Sequence, residues 1–279
     1  MINRQLEKEA KSAASYVRKH LNVDIARTFS IGVVLGSGWG DALKIKSASA
    51  VELRELPWFY ELRKLKNPEG HERQLLLGKI GKKNVAVLRG RIHLYESPFD
   101  KNLLEMVRLQ VEMLFHLGVK TLILTNAAGS LGENILVGDI VVAGALVTQF
   151  APDTMPLWGD EFCSPEDALD EKLAELALGI GNGLKIATHL GPYAMVRGPF
   201  FEGRKYDKEI LRRAGAVAVG MSTLPEACIA DLYGVKVLCL SFITNTASEK
   251  HSHEENVRRA EANSEKLGVL LNNIINRLE

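Results

Sequence analysis

A chain of 279 residues, 46% of them hydrophobic, is long enough for one large α/β domain, residues 1–279, whose central sheet is covered on both faces. Its formal charge of +1 leaves no global excess to hold nucleic acid or an anionic membrane, so an anion site has to be local and built from a few aimed groups. Three widely spaced cysteines, Cys163, Cys228 and Cys239, form no CxxC pair, which argues against a disulfide framework or a cysteine-built zinc site and for a reducing, cytoplasmic setting.

The first ten residues are charged and lack the apolar stretch of a secretory signal, and no apolar run reaches membrane-spanning length, so a soluble protein without membrane partners is expected. Leu6, Ala10, Ala13, Ala14, Val17 and Leu21 lie at helical spacing and predict a covering helix. The run from Ser30 to Leu35 reads as a buried strand that exits into Gly36-Ser37-Gly38-Trp39-Gly40. Such a loop can aim successive N–H groups and the Ser37 hydroxyl at an anion, or can be a tight turn that needs glycine for its dihedrals. The spacing matches neither the dinucleotide fingerprint nor a GxxxxGK phosphate loop. Leu56 to Gly70 reads as a long surface loop, and Gln74–Ile80 with Asn84–Arg89 as a hairpin. Its second strand delivers Arg91, His93 and Tyr95, either a phosphate-positioning turn or a merely solvated one.

Apolar residues from Leu103 to Phe115 predict a long amphipathic helix, followed by the near-continuous apolar strand Thr121–Thr125 of the kind buried in parallel sheets. Its exit, Asn126 to Gly132, is made of small residues that leave room for a flat ligand against main chain. A strand restarts at Gly138, and the segment from Phe150 to Cys163 reads as irregular, a lid or an oligomer contact. Ser164-Pro165-Glu166 has the form of a helix start, and that helix is expected to run to Gly181. The strand Lys185–Val196 leads to Phe200, Phe201 and Glu202, where an aromatic face and a carboxylate suit a planar heterocycle, or a core phenylalanine sits beside a surface glutamate. Val217–Gly220 exits into Met221 and Ser222, and Val235–Ile243 into Thr244 and Asn245. Ser252 and Glu255 form the S-x-x-E spacing of a capping box opening a terminal helix towards Leu278. His251, His253 and Glu254 have no matching cluster elsewhere, so no metal site is expected. There is no GxSxG elbow and no HExxH.

Taken in order, Gly36-Ser37-Gly38, Gly70-His71, Gly90-Arg91-x-His93-x-Tyr95-Glu96, Asn126-Ala127-Ala128-Gly129, Gly198-Pro199-x-Phe201-Glu202, Gly220-Met221-Ser222-Thr223-x-Pro225-Glu226 and Thr244-Asn245 closely resemble the blocks of the trimeric purine nucleoside phosphorylases. The resemblance runs from about Ile31 to the terminal helix. It implies a single-domain α/β fold, a twisted mixed central sheet flanked by helices, assembled as a homotrimer. It also implies reversible phosphorolysis of 6-oxopurine nucleosides such as inosine and guanosine, with inorganic phosphate as co-substrate and no cofactor.

By position, the resemblance puts Ser37, His71, Arg91, His93, the Ala128 backbone and Ser222 on phosphate. Tyr95, Met221, His253 and, from a neighbouring subunit, Phe162 fall around the ribose. Ala128, Gly129, Phe201, Glu202 and Asn245 fall around the purine, with Asn245, Glu202 and His93 as the catalytic set. A carboxylate at Glu202 wants a ring N–H, which 6-oxopurines carry at N1 and adenine lacks. A methylthioadenosine or other 6-aminopurine phosphorylase is the alternative within the class, and there an aspartate is expected where Asn245 stands. A non-catalytic nucleoside-binding scaffold has no need of the anion group, and a hydrolase needs an aspartate-rich water or metal site that the sequence does not show. Departures from the family pattern are Ala145 to Phe150, where an Asp-His-x-Asn segment is usual, Ser130 in place of a second glycine, Ser97, and Thr246 where lysine is frequent.

Overall fold

Aliphatic runs flanked by turn residues build the sheet of this computed structural model, which describes residues 4–24, 26–68, 71–96, 100–151, 161–203, 205–250 and 252–278. Gly70, Ser97, His251 and residues 152–160, with Pro152, Pro156, Trp158 and Gly159 of the irregular segment, lie outside them. In chain order the elements are α1 (Arg4–His20), β1 (Ile31–Leu35), β2 (Lys46–Glu52), β3 (Gln74–Ile80), β4 (Lys83–Arg89), α2 (Lys101–His116), β5 (Thr121–Ser130), β6 (Ile140–Val147) and α3 (Glu171–Gly183). They continue with β7 (Thr188–Met195), α4 (Asp207–Arg213), β8 (Ala218–Gly220), α5 (Leu224–Leu232), β9 (Lys236–Asn245), α6 (His253–Glu261) and α7 (Ser264–Arg277).

β1 is buried along its whole length because it pairs in parallel with β4 on one side and β5 on the other. β3 and β4 form the antiparallel hairpin that the sequence predicts, and β2 adds to its outer edge. Beyond β5 the order runs β8, β7, β6, β9, and β9 pairs back onto β5, so these five strands close into a ring. One apolar layer joins α1, α2 and α5 to the sheet through residues such as Val17, Val107 and Ala227. The other joins α3 and α7 through Leu173, Leu270 and Ile274. Among the described residues, no helix is long and apolar enough to cross a membrane.

Several elements differ from expectation. β2 is an edge strand of sequence KSASAVE with only Val51 buried, so it carries no apolar run to read. The expected surface loop Leu56 to Gly70 instead begins with a 3-10 helix at Pro57–Lys64, which follows another at Leu53–Glu55. Leu53, Leu56, Phe59 and Leu62 recur every third residue, the 3-10 period, and each is at most 1% exposed. β5 does not end at Thr125 but carries Asn126 to Ser130 on into the sheet, past an irregularity between Ala128 and Gly129.

Ser164-Pro165-Glu166 opens a turn rather than the helix, whose cap is Asp170, accepting from the Leu173 N–H at 2.9 Å. The terminal helix starts at the predicted Ser252 cap, which accepts from the Glu255 N–H at 3.1 Å. It then breaks at Ala262 and Asn263, where the Asn263 amide donates to the Arg259 carbonyl at 2.8 Å and competes with the helical ladder. Gly38, at φ +76°, lies directly under α6, and a Cβ there would stand 2.0 Å from that of Ala260, so only glycine lets the helix dock on this loop.

Replacing Phe59, fully buried, with alanine is expected to lower unfolding free energy by about 3–5 kcal/mol. The neighbouring Tyr60→Ala, at a 47% exposed position, is expected to cost no more than about 1 kcal/mol. Urea titrations of the two variants check the difference, and similar costs would remove the 3-10 packing from the core.

Candidate active site

The sheet divides at one point. β1 accompanies β5 only over Thr121 to Leu124, whereas β5 continues beside β9 to Gly129 and meets β8 at Gly129 and Ser130. Where β1 stops, a crevice opens at the carboxyl ends of the strands, the usual place for ligands in open α/β sheets. A cleft occupies it, walled by Ser37, Arg91, His93 and Ser222 at one end and by Phe201, Glu202 and Asn245 at the other. Tyr95, Ala128, Gly129, Met221 and His253 complete the lining that the sequence anticipated.

At the first end, Arg91 is 1% exposed. Its Nη1 donates to Ser222 Oγ and its Nη2 to the Thr125 carbonyl, both at 2.8 Å, while Nε lies 2.9 Å from Glu226 Oε1. Each Nη therefore keeps one further N–H. Glu226 is itself fixed by the capping box of α5, where its other oxygen accepts from the Thr223 N–H at 2.9 Å.

Gly90, at φ +95°, delivers the chain to Arg91, and a side chain there would press within 2.9 Å of the His71 backbone. The Arg91 N–H donates to His71 Nδ1 at 2.9 Å, so the neutral ring holds its proton on Nε2 and donates it to Ser37 Oγ at 3.0 Å. This leaves the Ser37 O–H free to donate into the cleft. Burial, and then the cationic surroundings of His93, Arg91 and Arg73, push His71 well below the usual histidine value and keep it neutral. His71 thus stands behind Ser37 rather than in the cleft wall.

The glycine-rich loop spends part of its backbone on internal hydrogen bonds. Its Gly36 N–H is used by Thr125 Oγ1 at 3.1 Å and its Trp39 N–H by the Gly36 carbonyl at 3.0 Å, so these two amides are not available to an anion.

His93 stacks on Tyr95 with ring centroids 4.7 Å apart. Its Nδ1 lies 3.1 Å from Glu96 Oε1, which also accepts from its backbone N–H at 2.8 Å. Glu96 is paired on its other oxygen with Arg73. Burial opposes its charge, but the hydrogen bonds from His93 and the Arg73 cation hold its carboxyl below the usual carboxylate range. Burial in turn pushes His93 down despite Glu96. The Nδ1–H therefore belongs to Glu96, and Nε2 is the position left for a ligand. Burial also raises the Tyr95 phenol to about 12, so it stays a neutral hydroxyl.

At the other end, Asn245 is 1% exposed at the close of β9. The Thr244 hydroxyl lies 3.1 Å from its Oδ1 and 3.3 Å from the Ala128 carbonyl, which orients the amide with Nδ2 as the remaining donor group. Phe201 stays 40% exposed in the cleft wall. Phe162 is 97% exposed and is not part of this chain's own cleft. Arg73, Glu96, Glu226 and Thr244 support the site without having been singled out for it. The Thr-x-x-Glu spacing around Glu226 was readable as a cap, while Arg73, in a loop at φ +53°, carries no signal. Among the described residues, no three His, Cys, Asp or Glu side chains are placed to hold a metal.

Residues 30–276 match the Phosphorylase superfamily. The chain is 32% identical over 255 residues to purine nucleoside phosphorylase 1 of Bacillus subtilis, covering 87% of this chain and 89% of that one. It superposes on a Schistosoma mansoni purine nucleoside phosphorylase solved with inosine, at a TM-score of 0.81 and 25% identity, over 98% of this chain and 97% of that one. Isoform 2 from the same organism, solved with cytosine and ribose-1-phosphate, gives a TM-score of 0.82 at 27% identity, again over 98% and 97%.

Because the native state keeps His71 neutral below its ordinary value of 6.5, the unfolded chain binds a proton there that the folded chain refuses. Stability is therefore expected to fall as pH drops below about 6.5, in the direction set by proton linkage. His71→Gln is expected to flatten that part of the profile in denaturant titrations at successive pH values. An unchanged slope would mean that His71 is not held neutral.

Proposed function

Since the chain belongs to the Phosphorylase superfamily, we propose that its cleft carries out reversible phosphorolysis of purine nucleosides, with a preference for 6-oxopurines such as inosine and guanosine. The observation that supports this is the convergence, in one cleft, of Ser37, Arg91, His93 and Ser222 with Phe201, Glu202 and Asn245. A scaffold that merely bound nucleosides has no use for the paired N–H groups of Arg91 or for a serine hydroxyl aimed by a buried histidine.

Phosphate sits against Arg91, Ser37, His93, the Ala128 backbone and Ser222. The ribose lies over Met221 and Tyr95, with its 5′-hydroxyl towards His253, and the purine lies along Gly129 and Phe201 between Glu202 and Asn245. A phosphate oxygen attacks C1′ as the C1′–N9 bond breaks, and the bonding pair passes to the purine. The sugar becomes oxocarbenium-like, and the phosphate anion across from the base stabilises it. Negative charge gathers on the base, where the Asn245 amide stabilises it as a fixed dipole without transferring a proton. His93 Nε2 takes or returns a phosphate proton, backed by Glu96. Glu202 accepts from the N1–H of hypoxanthine or guanine. Adenine has no such proton, and Asn245 rather than an aspartate faces the 6-position, which is why the 6-oxo class is favoured over the 6-amino class.

Inorganic phosphate is a co-substrate, and no cofactor or metal enters the reaction. The enzyme is read as cytoplasmic and as a homotrimer of single phosphorylase domains. The nearly full exposure of Phe162 supports the trimer, since in such an assembly it reaches a neighbour's ribose. Light scattering is expected to give three times the chain mass.

Incubation with inosine is expected to release hypoxanthine only when phosphate is present. Release without phosphate would mean a hydrolase, and binding without release a scaffold. Asn245→Ala is expected to lower kcat about 100- to 1,000-fold for inosine, and near-normal turnover would remove Asn245 from the mechanism.

A further inference from the structure

Lysine is among the residues least often fully buried without a partner, yet the Lys208 side chain is only 2% exposed. It is the second residue of α4, and its Nζ lies 3.4 Å from Glu202 Oε1, on a side chain that is itself 8% exposed. The same ammonium donates to the Thr246 carbonyl at 3.5 Å, on the residue that follows Asn245. One cation therefore touches both chain segments that face the base: the exit of β7 and the exit of β9. The stretch between Glu202 and Lys208 is pinned as well. The Gly203 N–H donates to Asp207 Oδ2 at 2.7 Å, and the Lys208 N–H donates to the Gly203 carbonyl at 3.1 Å.

We propose that Lys208 is a positioning residue that sets purine selectivity, an inference that rests on the phosphorolysis reading of this cleft. A carboxylate has two oxygens. The ion pair commits Oε1 to Lys208 and leaves Oε2 to meet a ring N–H, while supplying the counter-charge that a buried carboxylate requires. The contact with Thr246 ties that same charge to the strand end carrying Asn245, so the two groups that read the base keep a constant separation. Removing the cation should loosen recognition of a base that carries N1–H and leave a base that lacks it nearly untouched. A lysine that only held the fold together would affect both alike.

The test compares wild type, Lys208→Met, Lys208→Arg, Glu202→Gln and the Lys208→Met/Glu202→Gln double variant. Hypoxanthine and adenine Kd are read by calorimetry, and kcat and KM for inosine, adenosine and phosphate by assay. Lys208→Met is expected to weaken hypoxanthine about 10- to 100-fold, the worth of one hydrogen bond to a charged partner. Adenine is expected to change less than about threefold, on the same scale. Inosine KM should rise more than kcat falls, phosphate KM should hold, and Lys208→Arg should recover most of the selectivity. Equal weakening of both bases, or no change in either, overturns the proposal.

Should Lys208→Met fail to fold, the double variant, which buries no lone charge, decides. Its ratio of hypoxanthine to adenine affinity is expected to equal that of Glu202→Gln, and a further loss overturns the proposal. Wild type that binds hypoxanthine but does not consume inosine would defeat the phosphorolysis reading, while the two base affinities would still decide the role of Lys208.

Discussion

The cleft depends on a guanidinium taken out of water. Removing a charge from solvent is costly unless it is paired and hydrogen-bonded. Arg91 meets both conditions, through Glu226, the Thr125 carbonyl and Ser222. Those partners belong to α5, to β5 and to the turn after β8, so the cation adds a buried cross-link to pieces of chain already joined by sheet pairing and by the Asn126 amide on Thr223. Its backbone N–H completes the arrangement by choosing the tautomer of His71 and so the direction of the Ser37 hydroxyl. The Arg91 residue thus orders the groups around it, from its side chain and from its backbone.

The two ends of the cleft are built differently. The anion end is a lattice of buried charges and aromatic rings, with Arg73, Glu96, His93 and Tyr95 in a row, and it leaves little freedom to any member. The base end is made of strand termini and one aromatic that remains partly in solvent. The half of the cleft walled by Arg91 and His93 is therefore the more firmly preorganised. The half walled by Phe201, which is 40% exposed, is left more open.

Much of this was legible in the residues, because strand exits are marked by glycine and by polar types that a core does not tolerate. Arg91, His93, Glu202 and Asn245 stand out in such places, and they converge. What escaped did so for physical reasons. β2 is polar because it is an edge, and the buried 3-10 stretch follows a period of three where the eye looks for two or nearly four. Asn126 to Ser130 reads as a loop because small residues fill it, yet hydrogen bonding to β9 and β8 keeps it in the sheet. Lys208 looks like an ordinary charged residue at a helix start, and only the folded chain reveals where its ammonium ends. Glu96 and Arg73 act on the cleft through His93, at one remove that spacing alone does not disclose.

The seating of Ala260 on Gly38 has a mechanical corollary. The helix that begins with His253 and the turn that bears Ser37 pack against each other at Gly38, where there is no room even for a methyl group. A methyl group added to Gly38 has to displace either the turn that bears Ser37 or the helix that begins with His253, so one change at this position reaches two separate parts of the cleft lining.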